Sequence, residues 1–388
     1  MPLQPTPYTG ALQGIRVLDL SGGIAAGYCG KLFSDHGADV LLVEPPEGFA
    51  TRRLPPVVPE VEPAEASGMH AYLSTNKRSV VCDDPSQLRA LASDAALVID
   101  DRAGDDRPVP LDSLARIAPD AVLLSITWFG QDGPYRDFAG TDGVCMALSS
   151  QIDWLGNAGE APLIPGGYHA QIVAGLTAFI AAMGQVVARE LGNSSGPGHL
   201  DVSIYEASVC FTEIEAVRVH CGLPTRTRIG VNRFRTTYPL GIYPCRDGWL
   251  GVTVLIPSQW SGFCRLLGLE RLTEIDKYRT SEGRFEDAEL LDPMIALAVR
   301  ERSATDLVRR GQHMKIPLSV VPTMEQLFCV DQYVARAAFA EVAHPDLGTF
   351  PLPVTPFRLH GAPAISGGRV ARLGEHTATV FATERVGA

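Results

Sequence analysis

The stretch from Pro165 to Gly175, PGGYHAQIVAG, places two side chains capable of chemistry at the start of a predicted helix. His169 is a candidate general acid or base, because an imidazole titrates near neutral pH. The alternative is a structural histidine, which is the commoner role of a single His beside an apolar helix. Gln171 follows it, and its neutral amide forms hydrogen bonds but is a poor nucleophile. This helix start is a candidate reaction centre.

Other catalytic patterns are missing from the sequence. It contains no Ser-His-Asp order, no G-x-S-x-G turn and no P-loop. Three glutamates near the next predicted helix, Glu206, Glu213 and Glu215, are either further acid/base groups or ordinary surface carboxylates. The eight cysteines form no C-x-x-C and no Cys/His pairing at metal-ligand spacing, so the sequence predicts no bound metal.

Two short basic runs could collect a phosphorylated ligand. Arg52 and Arg53 lie in TRR, and Asn76, Lys77 and Arg78 lie in NKR. Cations beside turns suit phosphate groups, since charge-assisted hydrogen bonds are strong. Solvated surface charge explains the same residues equally well at this stage.

A glycine-rich turn, SGGIAAGYCG, begins at Ser21 and precedes a predicted helix. Such a turn can hold a phosphate on backbone N–H groups at a helix N-terminus, or it can simply allow close packing. The spacing is not G-x-G-x-x-G, and Glu44 is the one acidic residue placed to meet a ribose. A nicotinamide site is therefore disfavoured.

The elements around these residues predict an α/β fold. GIRVLDL, a helical segment and ADVLLVE form a βαβ opening, and further strand runs alternate with helices up to about residue 200. YPLGIYPCRDGWLGVTVL, beyond Asn232, predicts an antiparallel hairpin in a smaller α+β domain. We expect a Rossmann-like large domain over residues 1–200, a linker over 201–231, a small domain over 232–330 and a return to the large domain over 331–388.

Composition limits the partners and the compartment. A net charge of -11 over 388 residues argues against nucleic acid and anionic membranes as partners. Scattered cysteines are typical of a reducing cytoplasm, and no signal peptide is visible at the start of the sequence. The apolar segment 170–188 contains two glutamines, and we interpret it as a buried core helix rather than a membrane span.

Several segments taken together resemble the class III CoA transferases, the family of formyl-CoA transferase, crotonobetaine CoA transferases and α-methylacyl-CoA racemase. The resemblance rests on GIRVLDL with AAGYCGKLFSDHGADVLLVEPP, NKRSVVCD, SITWFGQDGPYRDFAGTD, SSGPGHLDVSIYEA, YPCRDGW, PFRLHG and LGEHT. Each motif is modest, but their order and spacing cover nearly the whole chain.

The resemblance implies a CoA thioester as substrate and a carboxylic acid as acceptor. It also implies an interlocked dimer, in which the small domain of one chain covers the acyl group bound by the other. Ile24 and Ala25 would lie near the adenine, and Lys77, with Arg52, Arg78 and Arg107, would meet phosphates. The family's NFRPG-like loop is replaced by DDRAGDD from Asp100.

The resemblance also assigns Gln171 to the position of the family's nucleophilic aspartate. That carboxylate attacks the thioester to form a mixed anhydride and then carries CoA as an aspartyl thioester, which an amide cannot do. The racemase histidine is replaced by Thr141, so racemisation is disfavoured.

Three hypotheses follow from the glutamine. The chain transfers CoA with another catalytic group, such as His169 or a nearby Glu, and Gln171 donates to the thioester carbonyl. Alternatively, it is the non-catalytic subunit of a heteromeric transferase, or a CoA-ester binding protein. Trp128, Phe129 and Trp154 suggest a bulky acyl group, although core packing explains them equally well.

Overall fold

The computed structural model describes residues 10–102, 109–193, 198–235 and 237–384. The chain divides into two compact units. Unit 1 contains residues 1–151, 165–222 and 332–388, and unit 2 contains residues 152–164 and 223–331. Unit 2 is therefore inserted into the sequence of unit 1.

Unit 1 is built on a six-stranded parallel sheet. Its strands are β1 (Arg16–Asp19), β2 (Asp39–Glu44), β3 (Arg78–Val81), β4 (Leu97–Asp100), β5 (Val122–Thr127) and β6 (Gly198–Ser203). They lie in the order β3-β2-β1-β4-β5-β6, and every neighbouring pair is parallel. This is the order of doubly wound nucleotide-binding sheets, so the predicted α/β class is confirmed.

Helices connect and cover these strands, as a sheet buried on both faces requires. They are α1 (Ile24–Asp35), α2 (Gly68–Leu73), α3 (Pro85–Ser93), α4 (Leu111–Ile117), α5 (Asp142–Leu148), α6 (His169–Glu190), α7 (Ile204–Val209) and α8 (Glu213–His220). Every residue of β5 is buried, which accounts for its mostly apolar sequence VLLSIT. Helix α1 stops before Gly37, whose φ of 94° is a left-handed conformation that glycine adopts readily.

Unit 2 contains a three-stranded antiparallel sheet and five helices among its described residues. The elements are β7 (Leu240–Cys245), β8 (Gly248–Thr253), α9 (Pro257–Leu267), α10 (Ser281–Glu286), α11 (Ala288–Arg300), α12 (Ala304–His313), β9 (Leu318–Val320) and α13 (Met324–Leu327). Strands β7 and β8 pair antiparallel with Cys245 opposite Gly248, as the hairpin prediction required.

The chain then returns to unit 1. This part contains α14 (Asp331–Ala335), β10 (Phe339–His344), β11 (Gly348–Pro353), β12 (Gly368–Arg369) and α15 (Thr377–Glu384). Strand β10 pairs antiparallel with β11 and parallel with β12. The segment also contacts the large sheet, since the Val81 amide donates to the Thr377 hydroxyl at 2.9 Å.

The division into units differs from the expected boundaries at two places. Residues 201–231, expected as a linker, contain the end of β6 and both α7 and α8, which belong to unit 1 up to residue 222. Residues 152–164, expected in the large domain, belong to unit 2. Their place is set by contacts far along the chain, such as the Arg228 guanidinium donating to the Glu160 carbonyl at 3.0 Å.

Helix α6 is a partly buried core helix. By length and composition alone it could cross a membrane, but one face packs against α1. The buried face is formed by Ala170, Gln171, Ala174, Gly175, Ala178, Ala182 and Val186. At Gly175 the two helices approach so closely that a Cβ there would collide with the carbonyl oxygen of Ala25. The start of α6 is thereby held beside the start of α1.

Candidate active site

The N-terminus of α6 is capped by a carboxylate from another helix. The first turn of any α-helix leaves backbone N–H groups without intrahelical acceptors. The Ala170 amide donates to Asp142 Oδ1 at 2.7 Å, and the Gln171 amide donates more weakly to the same oxygen at 3.4 Å. Asp142 is the first residue of α5, so this contact joins two helices at one point.

Gln171 makes a third hydrogen bond to the same carboxylate. Its side-chain Nε2 donates to Asp142 Oδ2 at 2.5 Å, and only 8% of the residue is exposed. Because an ionised carboxylate only accepts, the amide must turn Nε2 toward Asp142 and Oε1 away from it. Asp142 itself is half-buried. The structure therefore places a carboxylate within one hydrogen bond of the predicted position 171.

His169 faces its own loop. Its ring Nε2 lies 2.9 Å from the Gly166 carbonyl oxygen, and the residue is exposed. No hydrogen bond joins His169 to Gln171 within the described part of the chain. The two predicted catalytic residues are neighbours in sequence but are not a hydrogen-bonded pair.

The remaining acid/base candidates lie elsewhere. Glu206 is exposed on α7, and Glu215 pairs with Arg218 on α8 at 3.7 Å. The Glu213 side chain lies outside the described part of the chain. Thr141 caps α5, because its hydroxyl accepts the Val144 amide at 3.3 Å. Asp142 was not among the predicted site residues, and only its place after a capping threonine could have drawn attention to it.

The glycine-rich first turn is occupied by a carboxylate of the chain itself. Asp101 accepts the Gly23 amide at 2.5 Å and the Gly22 amide at 3.2 Å, at the N-terminus of α1. Burial, followed by the nearby Asp100 carboxylate, raises the pKa of Asp101 to about 7. The backbone N–H groups that could hold a phosphate already have an acceptor in this structure.

The two residues predicted near the adenine are buried at the same place. Ile24 is 4% and Ala25 is 3% exposed. Gln171 lies one helical turn before Gly175 on the same face of α6, and Gly175 packs on Ala25. The structure thus brings the α1 start and Gln171 to the same side of α6.

Two of the predicted phosphate-binding cations are buried ion pairs. Lys77 Nζ donates to Asp19 Oδ2 at 2.7 Å and to the Gly27 carbonyl at 2.9 Å. The Arg52 guanidinium donates two hydrogen bonds to Glu44, of 2.6 and 2.7 Å, and a third to Glu65 at 3.2 Å. Buried charges require such partners, which explains why these cations face inward. Glu44, the candidate ribose ligand, already accepts hydrogen bonds from Arg52 in the same network.

The other members of the basic runs are either more exposed or hydrogen-bonded to backbone groups. Arg78 makes a two-point contact with Asp39, at 2.8 and 2.6 Å, and 36% of its side chain is exposed. Asn76 has a φ of 64° and donates to the Gly367 carbonyl at 3.1 Å, so it shapes the turn before β3. Arg107 lies outside the described residues. Among the described residues, the predicted cations therefore do not form one exposed cluster.

The aromatic residues considered for acyl recognition pack against their own surroundings. The Phe129 ring lies within 6.2 Å of the rings of Tyr135, Phe138 and Tyr205. Trp128 packs on Gly140, where a Cβ would overlap the indole. Trp154, in unit 2, lies under the Arg226 guanidinium at 5.5 Å. Core and surface packing account for all three.

The described residues contain no group of three or more His, Cys, Asp or Glu side chains arranged to hold a metal ion. All eight cysteines are free thiols.

Comparison with known proteins connects this geometry to chemistry. The family model for CoA-transferase family III matches residues 12–377. A succinate–glutarate CoA-transferase from Agrobacterium fabrum is 28% identical, over 96% of this chain and 95% of its own length. The alpha subunit of a succinyl-CoA–L-malate CoA-transferase from Chloroflexus aurantiacus is 26% identical, over 95% of this chain and 87% of that subunit.

The fold has a counterpart among solved structures. The crystal structure of a CAIB/BAIF family protein from Brucella suis superposes with a TM-score of 0.86 and 24% identity, covering 97% of this chain and all of that one. At that level of identity the likeness concerns the fold alone.

Proposed function

The chain belongs to CoA-transferase family III, and from that premise we propose that it moves CoA from an acyl-CoA thioester to a carboxylic acid with Gln171 at the position of the family's nucleophilic aspartate. The observation that carries this proposal is the extent of the match, because residues 12–377 include the α1 turn, Asp142 and the start of α6. The family's transferases exchange CoA between acids, and the same reaction is assigned here.

Short dicarboxylic acids are the first substrates to consider. The similar proteins are named for succinate, glutarate and malate. Their thioesters carry a free carboxylate, which a cation at the site would recognise. Arg78 is a candidate for contact with a CoA phosphate, because 36% of its side chain is exposed whereas Lys77 and Arg52 are buried. Arg107, Ile24 and Ala25 keep their predicted CoA contacts as proposals.

A second chain completes the proposed enzyme. One side of α6 exposes the apolar residues Leu176, Ile180 and Val187 to solvent, and the cap residue Leu191 is exposed beyond its C-terminus. A large apolar stripe on a helix usually meets another protein surface. A homodimer, interlocked as the family resemblance implies, or a heteromer with a homologous chain would cover it. A cytoplasmic location, which suits the free thiols, stays a prediction.

The second candidate function is that of a silent subunit. It is favoured by the amide at position 171 and by the similarity to a chain that is itself an alpha subunit. Binding of a CoA ester without catalysis is the remaining alternative.

The test is CoA exchange by the purified chain alone. Succinyl-CoA is mixed with isotopically labelled glutarate, and formation of labelled glutaryl-CoA is followed by mass spectrometry. We expect exchange that scales with protein concentration. Calorimetric titration with CoA is the parallel measurement, since binding without exchange, restored by a homologous aspartate-bearing chain, would identify a silent subunit instead.

A further inference from the structure

We propose that Asp142 is the nucleophilic carboxylate of this chain and that Gln171 is the residue that positions it. The inference rests on the proposed function, because it supplies the group that Gln171 lacks. Asp142 is the carboxylate that the structure connects directly to position 171, through the 2.5 Å hydrogen bond from Gln171 Nε2 to Asp142 Oδ2. The Asp142 carboxylate therefore lies one hydrogen bond away from residue 171, the position of the family's nucleophile.

Accessibility distinguishes Asp142 from its neighbour. Gln171 is buried on the face of α6 that packs against α1, whereas Asp142 is half-buried and has part of its surface open to solvent. The carboxylate accepts three N–H groups, two from the backbone and one from Gln171. A carboxylate has about four lone-pair sites, so at least one is left for attack.

The electrostatic setting suits a group that must attack and then leave. Asp142 lies at the N-terminus of α6, a helix of 22 residues, where the aligned peptide dipoles favour an anion. A carboxylate nucleophile needs no general base, which is consistent with His169 being turned to its own loop. The three N–H donors also stabilise the carboxylate when it is expelled from an anhydride.

The chemistry balances with the two substrates alone. A free Asp142 oxygen attacks the thioester carbonyl carbon, the C–S bond breaks, and CoA leaves as the thiolate with the mixed anhydride on Asp142. The thiolate then attacks Asp142 Cγ and expels the donor acid as its carboxylate. The acceptor carboxylate attacks the resulting aspartyl thioester, and the thiolate finally takes the acceptor acyl group, which restores Asp142.

The decisive experiment traps the covalent intermediate that forms on the nucleophilic residue in the first half of the reaction. The full-length protein is mixed with succinyl-CoA without acceptor, quenched with hydroxylamine, and digested for peptide mass spectrometry. We expect a hydroxamate on Asp142. A hydroxamate on another residue, or none while CoA exchange proceeds, overturns the role of Asp142 and leaves the proposed function standing. Neither label nor exchange overturns both, and label on an added homologous chain identifies the silent subunit.

Variants provide an independent test. Asp142→Asn can still accept the Ala170 amide, so α6 keeps its cap, but we expect CoA exchange to fall by roughly a thousand-fold or more. Asp84→Asn is the matched control, since Asp84 caps α3 by accepting the Ser86 amide at 2.8 Å, and it should retain exchange within about two-fold. Equal activity of Asp142→Asn and wild type would contradict the proposal.

Gln171 is tested as a positioning residue by two further variants. Gln171→Ala removes one donor, and we expect kcat to fall roughly a hundred-fold with little change in KM. Asp142→Asn combined with Gln171→Asp reverses the pair, so exchange should return with the hydroxamate on position 171. If the double variant unfolds thermally like the wild type but exchanges CoA no faster than Asp142→Asn, positions 142 and 171 do not belong to the same catalytic site.

Discussion

At the scale of single residues, Asp101 shows how a half-buried carboxylate changes the chemistry of a turn. Its oxygens accept the amides of Gly22 and Gly23, where the sequence suggested a phosphate. Burial and the neighbouring Asp100 raise its pKa from 3.8 to about 7. Asp101 therefore titrates near neutral pH in the folded chain but near pH 4 in the unfolded one.

This shift predicts an unusual pH dependence of stability. Between about pH 4 and pH 7 the folded chain holds a proton on Asp101 that the unfolded chain lacks, so raising pH across that range lowers the free energy of unfolding. Asp101→Asn cannot ionise. We expect wild type to lose roughly 2–3 kcal/mol more than this variant between pH 5 and pH 8.

Urea unfolding at the two pH values measures the effect. The comparison with Asp101→Asn is needed because His70, His344 and His376, whose pKa values are lowered mainly by burial, add stability as pH rises in both proteins. Parallel pH profiles for the two proteins would show that Asp101 has an ordinary pKa.

Residue-level prediction from sequence succeeded where the signal is local. The helix carrying Gln171 begins at His169, close to the predicted start. Asp142 was missed because its contact with Gln171 spans 29 positions, and no periodicity or motif connects such residues in a single sequence. The inward orientation of Arg52 and Lys77 was missed for the same reason.

At the scale of elements, Arg52 holds the end of β2 to two other parts of unit 1. Its guanidinium reaches Glu44 on β2 and Glu65 before α2. Glu44 also accepts the Ser79 hydroxyl on β3 at 2.6 Å, and Glu65 accepts the Leu373 amide at 2.8 Å. One buried cation thus neutralises two acids on which several segments converge.

Arg52 and Arg53 form a natural matched pair for testing this network. Arg52→Gln leaves Glu44 and Glu65 buried without their cation, and we expect the free energy of unfolding to fall by about 3–5 kcal/mol. Arg53 is exposed and contacts the backbone carbonyl of Glu47. Arg53→Gln should therefore change the free energy of unfolding by less than about 0.5 kcal/mol.

Chemical denaturation of both variants under identical conditions is the measurement. Equal stability of the two variants would show that the pairing of Arg52 contributes little. A loss of CoA affinity in a stable, folded Arg52→Gln protein would restore Arg52 as a phosphate ligand.

Element-level prediction worked best for the sheet and the hairpin. Strands β2, β4 and β5 are mostly apolar and almost entirely buried, which is typical of strands covered on both faces. The RDG turn predicted the β7–β8 hairpin. Unit boundaries were harder to predict, since residues 152–164 carry no pattern that assigns them to the later part of the chain.

At the scale of the whole molecule, α6 carries different chemistry on different faces. Gln171 and Gly175 lie on its buried face, while Leu176, Ile180, Val187 and Leu191 are exposed. Burial of an apolar helix stripe by another chain stabilises an assembly by roughly 25 cal/mol for each Å² removed from water.

We therefore predict that Ile180→Glu weakens self-association. Ile180 is 63% exposed, so the substitution should be tolerated by the isolated chain but would place a charge in an apolar interface. Sedimentation velocity should show a shift toward the monomer. Leu297→Glu, at a leucine of unit 2 that is 73% exposed, is the control and should leave the assembly unchanged. A shift of both variants, or of neither, would argue against the α6 stripe as the interface.

The return of residues 332–388 to unit 1 has a consequence for biosynthesis. All six strands of the large sheet are translated by Ser203, and the longer of the two segments of unit 2 follows over residues 223–331. Glu65 and Ser79, however, receive the Leu373 and Gly374 amides only when the end of the chain leaves the ribosome. While unit 2 is being synthesised, the nascent sheet therefore lacks some of the hydrogen bonds of its polar interior. We expect the nascent chain to depend most on chaperones during this interval.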